Sequence, residues 1–358
     1  MTKDALVSPV SLPTGGSRPI KASLTRLANA ADDVDGDAGR ALALARDIGA
    51  SAAQPGEGQT VELFEMLATI AAADLTAARI AEAHLDAFSI LDQASVARRE
   101  FSTAVDVGDQ SWGVFAAEGA ESRLSATQQN GRWHLDGRKP WCSLAGSLSH
   151  ALVTAHTSPT HRRLFAVELA DRGIRVHADA WVARGLTNVP SGTVDFTDVA
   201  ASPVGADEWY LHRPGFAWGG IGVAACWWGG AIGVARQLLV AAQKREPDQL
   251  ALAHLGAIDV SLMASGVALA GAAASIDAGE ATGPAGVLLA ARVRGLVART
   301  VDDVITRVGH ALGPAPLALD ERHARRVADL QLYVRQHHAE RDDASLGRLL
   351  LANAAPPW

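Results

Sequence analysis

The side chains of this sequence that could do chemistry together lie near its C-terminus. Asp329, Tyr333 and His337 follow one another at i, i+4 and i+8, so in a helix they share one stripe. On the same helix, His338 and Arg335 point elsewhere. An imidazole there can take up a proton near neutral pH, its unperturbed pKa being close to 6.5. A polar helix end is the plainer use of His337-His338. A second group is Gly137-Arg138-Lys139-Pro140-Trp141-Cys142-Ser143, which sets an aromatic ring and a hydroxyl two residues apart. It sits within Asn130–Ala155, where Trp133 and Leu135 alternate with polar residues and Ala151-Leu152-Val153 resumes an apolar run. Asp136-Gly137 is the expected tight turn. Read from its residues alone, this is the pattern of any antiparallel β protein.

Other chemistries find no support. Gly220-Ile221-Gly222-Val223-Ala224-Ala225 matches a relaxed dinucleotide fingerprint, but no strand precedes it and Glu246 follows a helix. The twelve histidines form no HExxH or Cys/His cluster, and neither GxSxG nor a P-loop occurs. The two cysteines, Cys142 and Cys226, are far apart, so no disulfide framework is expected. A net charge of −7 and scattered arginines argue against a nucleic-acid surface. The tryptophans, Trp227-Trp228 among them, read as core or interface.

The elements that position these groups fall into three blocks within 358 residues, 48% of them apolar and 20% charged. Met1–Ala22 is rich in Pro, Gly and Ser and reads as a loose arm. Residues 23–101 carry helical spacing in two stretches, Leu24–Ile48 and Val61–Leu91, separated by Pro55, Gly56 and Gly58. Residues 102–213 change period. Short runs at Trp133–Leu135, Ala151–Ala155, Leu164–Leu169, Ile174–His177 and Thr193–Phe196 read as strands of an all-β unit. Residues 214–358 return to helix, with four long segments expected at Gly215–Lys244, Leu250–Ile276, Gly286–Gly309 and Asp320–Asp342. The fold class is therefore α+β and multidomain: an N-terminal helical domain, a central β domain and a C-terminal four-helix bundle. Phe216–Ala235 is uncharged and long enough to span a bilayer. A buried bundle helix is the favoured reading, and its lack of charge asks for cover from a second subunit. No signal-peptide pattern opens the chain, so the expected location is cytoplasmic.

This order of domains, together with Gly137–Ser143, resembles the acyl-CoA dehydrogenase superfamily from about Leu24 to Arg348. Three further stretches add to the likeness. Trp112–Glu118 resembles the first flavin loop, Arg184-Gly185 with Ser191–Val199 the closing strand of the β domain, and Arg325–Asp329 the opening of the last long helix. The resemblance implies a flavoenzyme holding FAD, with FMN as the alternative. In it Trp141 packs on the isoalloxazine, Ser143 faces the reactive nitrogen, and Ala117 offers backbone donors where the family has Thr. Arg245, with His254, stands for a reduced pyrophosphate clamp, and Gly313 for the next subunit contact. Eight residues beyond Asp329, where the family's dehydrogenases carry their catalytic Glu, stands His337. The family default is α,β-desaturation of an acyl thioester with His337 as base. The alternatives are a reduced-flavin-dependent monooxygenase, the branch that pairs a Ser or Thr on the flavin strand with a histidine here, and a non-catalytic acyl- or flavin-binding subunit. The implied partners are a small-molecule or acyl-thioester substrate, an electron-transfer or flavin-reductase protein, and further copies of the chain in a homodimer or homotetramer.

Overall fold

In the computed structural model of the chain, residues 7–14, 21–49, 52–97, 110–120, 122–177 and 180–352 are described. Four helices come first: α1 (Ala22–Asp32), α2 (Ala38–Gly49), α3 (Thr60–Ala73) and α4 (Leu75–Ala97). α3 is apolar almost all round, as a helix packed on every side must be. Its N-terminus is held from a distance. Asp277 accepts from the Thr60 N–H and hydroxyl and from the Gly58 N–H, satisfying donors that a helix start leaves open. Asp74 does the same for α4, accepting from Ala77 N–H, and ties it to the preceding layer through Gly36 N–H.

Seven strands follow: β1 (Trp112–Phe115), β2 (Leu124–Gln129), β3 (Arg132–Ser143), β4 (His150–His156), β5 (Arg162–Glu168), β6 (Ile174–His177) and β7 (Ser191–Val204). β3 pairs with β2 and β7, β7 with β5 and β6, and β5 with β4. β4 meets β2 at Ser125/His156, so the ring closes as a small barrel. Phe115, Leu135, Phe165 and Phe196 are buried in its core. The expected strands all form, but Asp136-Gly137 is no turn. It lies inside β3 at a register shift, and Asn130-Gly131, both at positive φ, make the hairpin. Gly137 has φ +122°, and a Cβ there would stand 2.2 Å from the Arg123 carbonyl oxygen. A dipeptide that usually turns a hairpin here lets two strands approach.

The chain then runs through α5 (Trp209–His212), α6 (Pro214–Lys244), α7 (Gln249–Asp277), α8 (Gly283–Leu312), α9 (Ala315–Leu319), α10 (Glu321–Tyr333) and α11 (Glu340–Ala352). α6 is the central helix. A Cβ on Gly229 would lie 2.2 Å from the Ala68 oxygen, and one on Gly233 2.6 Å from that of Ala72, so glycine a turn apart lets α6 press on α3. α6 and α7 are both long and apolar enough to cross a membrane. In α6, 72% of the apolar window is buried inside this chain, against 39% in α7. The cover expected from a second subunit over Phe216–Ala235 comes instead from the chain's own helices, and α7 is the exposed apolar helix.

Two further expectations change. The arm over Met1–Ala22 is packed where it is described: Val10 and Leu12 are buried, with N–H groups donating to Thr69 Oγ1 and Glu65 Oε1. The two helical units also share one continuous hydrophobic core.

Candidate active site

A cavity of about 550 Å³ opens where the β barrel meets α4 and the end of α10. Its β wall starts from the bulge between Lys139 and Cys142. There Trp141 takes φ +59°, a left-handed conformation rare for a bulky residue, and its indole is 59% exposed. Leu186, also on the wall, has φ +49°. Such conformations persist where surrounding packing enforces them and gather at ligand sites. Trp181 meets Trp141 edge-on at 6.4 Å and donates from Nε1 to the Leu186 oxygen. Ser143 Oγ and Ser191 Oγ lie 2.7 Å apart. The loop after β1 adds Ala116, Ala117 and Glu118. Glu118 is clasped by Lys139 at 2.7 Å, His156 at 3.2 Å and Arg162 at 3.4 Å. These hydrogen bonds and charges outweigh desolvation and hold its carboxyl below the ordinary range, whereas burial lowers the Lys139 ammonium. Positive charge is in excess around Glu118.

The facing wall is α4. Arg79, Glu82 and Asp86 stand at i, i+3 and i+7 and so share a face. Arg79 donates to Ser143 Oγ at 3.1 Å and to Glu82 Oε2 at 3.1 Å. Tyr333 Oη donates to the same Glu82 oxygen at 3.2 Å. Hydrogen bonds thus run from Ser191 through Ser143, Arg79 and Glu82 to Tyr333. Burial outweighs the Arg79 charge and pushes the Glu82 carboxyl up to about 7. Asp86, 3.4 Å from Arg213, is also raised by burial. The Tyr333 and Tyr210 phenols are pushed up for the same reason.

The residues after α10 close the cavity, and here the expected stripe breaks. α10 ends at Tyr333, a 3₁₀ turn covers Val334–Gln336, and His337 is extended. Asp342 accepts the His338 N–H and Ala339 adopts φ +48°, turning the chain into α11. The helix expected over Asp320–Asp342 is therefore two helices. Arg335 and His338 line the cavity; His337 does not. Its buried ring accepts the Ala339 N–H at Nδ1, and Nε2 lies 3.9 Å from Asp342. A Cβ on Gly295 of α8 would stand 3.7 Å from that nitrogen. Burial lowers the imidazole below its ordinary value.

Of the residues expected at a site, Trp141, Ser143 and Ala117 are brought together. Arg245 caps the C-terminus of α6 and Gly313 that of α8, both outside this cavity. Asp329, on α10, anchors the loop that carries Leu186, accepting its N–H at 2.5 Å. Burial pushes its carboxyl up to about 6. Gly185 makes that approach feasible, since a Cβ would lie 2.0 Å from the Ala328 oxygen. Sequence reasoning passed over Arg79, Glu82 and Asp86. The available signal was three charges on one face of an Ala-rich helix whose neighbours Ala78, Ala81 and Leu85 are all buried.

No protein-family profile matches the sequence, and no curated protein does. Solved structures match along nearly the whole chain. KijD3, solved in complex with FMN and a dTDP-linked amino keto sugar, has a TM-score of 0.76 at 18% identity, covering 95% of each chain. Nitrososynthase from Micromonospora carbonacea var. africana has a TM-score of 0.74 at 16% identity, covering 94% of this chain and 98% of that one. Dibenzothiophene monooxygenase from Paenibacillus sp. A11-2 has a TM-score of 0.67 at 17% identity, covering 91% and 98%; it has also been solved with FMN and indole. The fold is the acyl-CoA dehydrogenase-like fold.

Proposed function

We propose that this chain is a flavin-dependent oxidoreductase of the monooxygenase type. It would take reduced FMN from a separate reductase and oxygenate a neutral, largely apolar small molecule. The observation that carries this reading is the charge state of the cavity wall. Arg79 pairs with Glu82, Asp86 with Arg213, Glu118 with Lys139 and Arg335 with Asp302. Each of these lining charges has an opposite partner within 4 Å, and Trp141, Trp181, Leu186 and Leu332 give the surface beside them an apolar character. Pockets of this kind, apolar with a few aimed polar groups, suit uncharged ligands.

The residues present fit a flavin. The volume lies within the roughly 300–1,000 Å³ typical of ligand and cofactor sites. A strained backbone holds the Trp141 indole out at the cavity, and Ser143 offers a hydroxyl already oriented by Arg79 and Ser191. Trp141, Ser143 and the backbone of Ala117 would hold the isoalloxazine, and the excess positive charge around Glu118 favours an anionic group nearby. Structures of the same fold solved with FMN, KijD3 and dibenzothiophene monooxygenase, favour FMN over FAD. When bound, the flavin supplies the electrons and the activation of dioxygen. The chain supplies aromatic walls, the Ser143 hydroxyl and a proton-carrying carboxyl at Glu82. Desaturation of a thioester is less well supported. The residue at the expected base position, His337, is directed to α8 and α11.

The test supplies FMN, a reducing system and labelled dioxygen with a panel of neutral aromatic heterocycles that includes indole. Mass spectrometry should find one labelled oxygen atom in a product. Unlabelled recovery of the whole panel, with bleaching of bound flavin by an acyl-CoA, would favour desaturation instead.

A further inference from the structure

Glu82 and Asp86 also line a second, smaller space beside α4. This cavity, of about 40 Å³, lies under Ala53–Pro55 and Trp218–Gly222, and Ser89 also faces it. It has room for water, and three polar side chains to bind it. Glu82 thus borders both the large cavity and a small polar one. Both of its named hydrogen bonds, from Arg79 and Tyr333, fall on Oε2; Oε1 takes part in neither. Its side chain is 11% exposed.

We infer that Glu82 is the proton-exchanging group of this site, passing protons between a molecule bound in the large cavity and water in the small one. This rests on the functional reading above. In the step, the carboxylate takes a proton from an N–H, O–H or S–H of the bound molecule. One O–H bond forms at Glu82 as the donor's bond breaks, and that O–H bond breaks in turn when the proton passes to water. The reverse sequence delivers a proton to the bound molecule. The groups facing Glu82 set the range over which this works. They are Arg79 and Asp86 on its own helix, Tyr333 on α10, Arg294 on α8, Cys226 on α6, Tyr210 on α5, and Arg213 beyond Asp86. Burial and Asp86 favour the protonated form, whereas Arg79, Tyr333 and Arg294 favour the carboxylate. The balance leaves both forms populated near neutral pH.

The experiment is infrared titration of the full chain with carbon-labelled glutamate, in wild type and in Glu82→Gln. Wild type should show a protonated glutamate band that disappears with a midpoint near 7, and Glu82→Gln should lack it. A wild-type midpoint in the ordinary carboxylate range, or a neutral transition that persists in Glu82→Gln, overturns the inference. The route is tested by filling the small cavity with Gly222→Val or Ala53→Leu and following deuterium exchange of the same band. Exchange should slow at least tenfold; an unchanged rate in both variants overturns the route. FMN binding is measured alongside. If wild type binds FMN but shows no neutral titration, only this inference falls. If wild type takes up no FMN, the functional reading falls and this inference with it.

Discussion

Trp141 keeps a left-handed backbone at the edge of the cavity although that costs roughly 1–2 kcal/mol for a residue with a side chain. A ring held this way is positioned for a partner. Replacing Trp141 with Ala should therefore weaken FMN binding about tenfold to a hundredfold, through lost aromatic contact, as read by fluorescence titration. Asp329 makes a different prediction. Its folded-state pKa, about 6, lies above its unfolded value of 3.8, so the folded chain holds that proton the more tightly. The resulting stability is present below about pH 4 and lost as pH rises through about 6. Asp329→Asn should then equal wild type near pH 4 and be more stable at pH 7, by about 2–3 kcal/mol, in denaturant unfolding. A wild-type advantage at pH 7 would mean that the carboxylate's bond to Leu186 N–H outweighs its burial. At this scale the placement of Trp141, Ser143 and Ala117 at one cavity was legible from their resemblance to a family's flavin strand and loop. His337 was not, because counting eight residues from Asp329 assumes a helix that stops after four.

The elements were legible where a local period governs them. Alternation and short apolar runs located β3 to β7 but not β1 and β2, and apolar spacing located α3, α6, α7 and α8. Asp136-Gly137 was misread because a glycine needed for a turn and one needed for a close strand contact look alike in sequence. The end of α10 depends on Asp342 and Ala339, which lie beyond it. The Arg79–Glu82–Asp86 face was hidden because charge on a helix ordinarily faces water. The close passage of α6 over α3 gives the prediction at this scale. Gly229→Ala places a methyl group against the Ala68 carbonyl, where backbone must move, and should cost about 1–3 kcal/mol in thermal or denaturant unfolding. Gly271→Ala on α7 meets nothing within 4 Å and should be neutral or mildly stabilising.

For the whole molecule, the order of helices, then strands, then helices could be read from changes in the apolar period. The closure of the barrel at Ser125/His156 and the shared helical core could not, since such contacts join residues far apart in sequence. The exposed face of α7 carries the prediction about assembly. Leu250, Leu252, Val260, Met263 and Val267 are each more than half exposed, an apolar surface that a lone chain would leave in water. We expect a homodimer or homotetramer held through this face, and Val260→Glu with Leu252→Glu should shift sedimentation toward monomer. A wild-type monomer at micromolar concentration would contradict it. The central claim is that the cavity between Trp141 and Glu82 holds a flavin, and the most direct measurement is titration of the purified chain with FMN while its fluorescence is followed. The account predicts saturable quenching that is retained in Glu82→Gln and weakened in Trp141→Ala. Unchanged fluorescence with FMN and with FAD, or binding indifferent to Trp141, would contradict it.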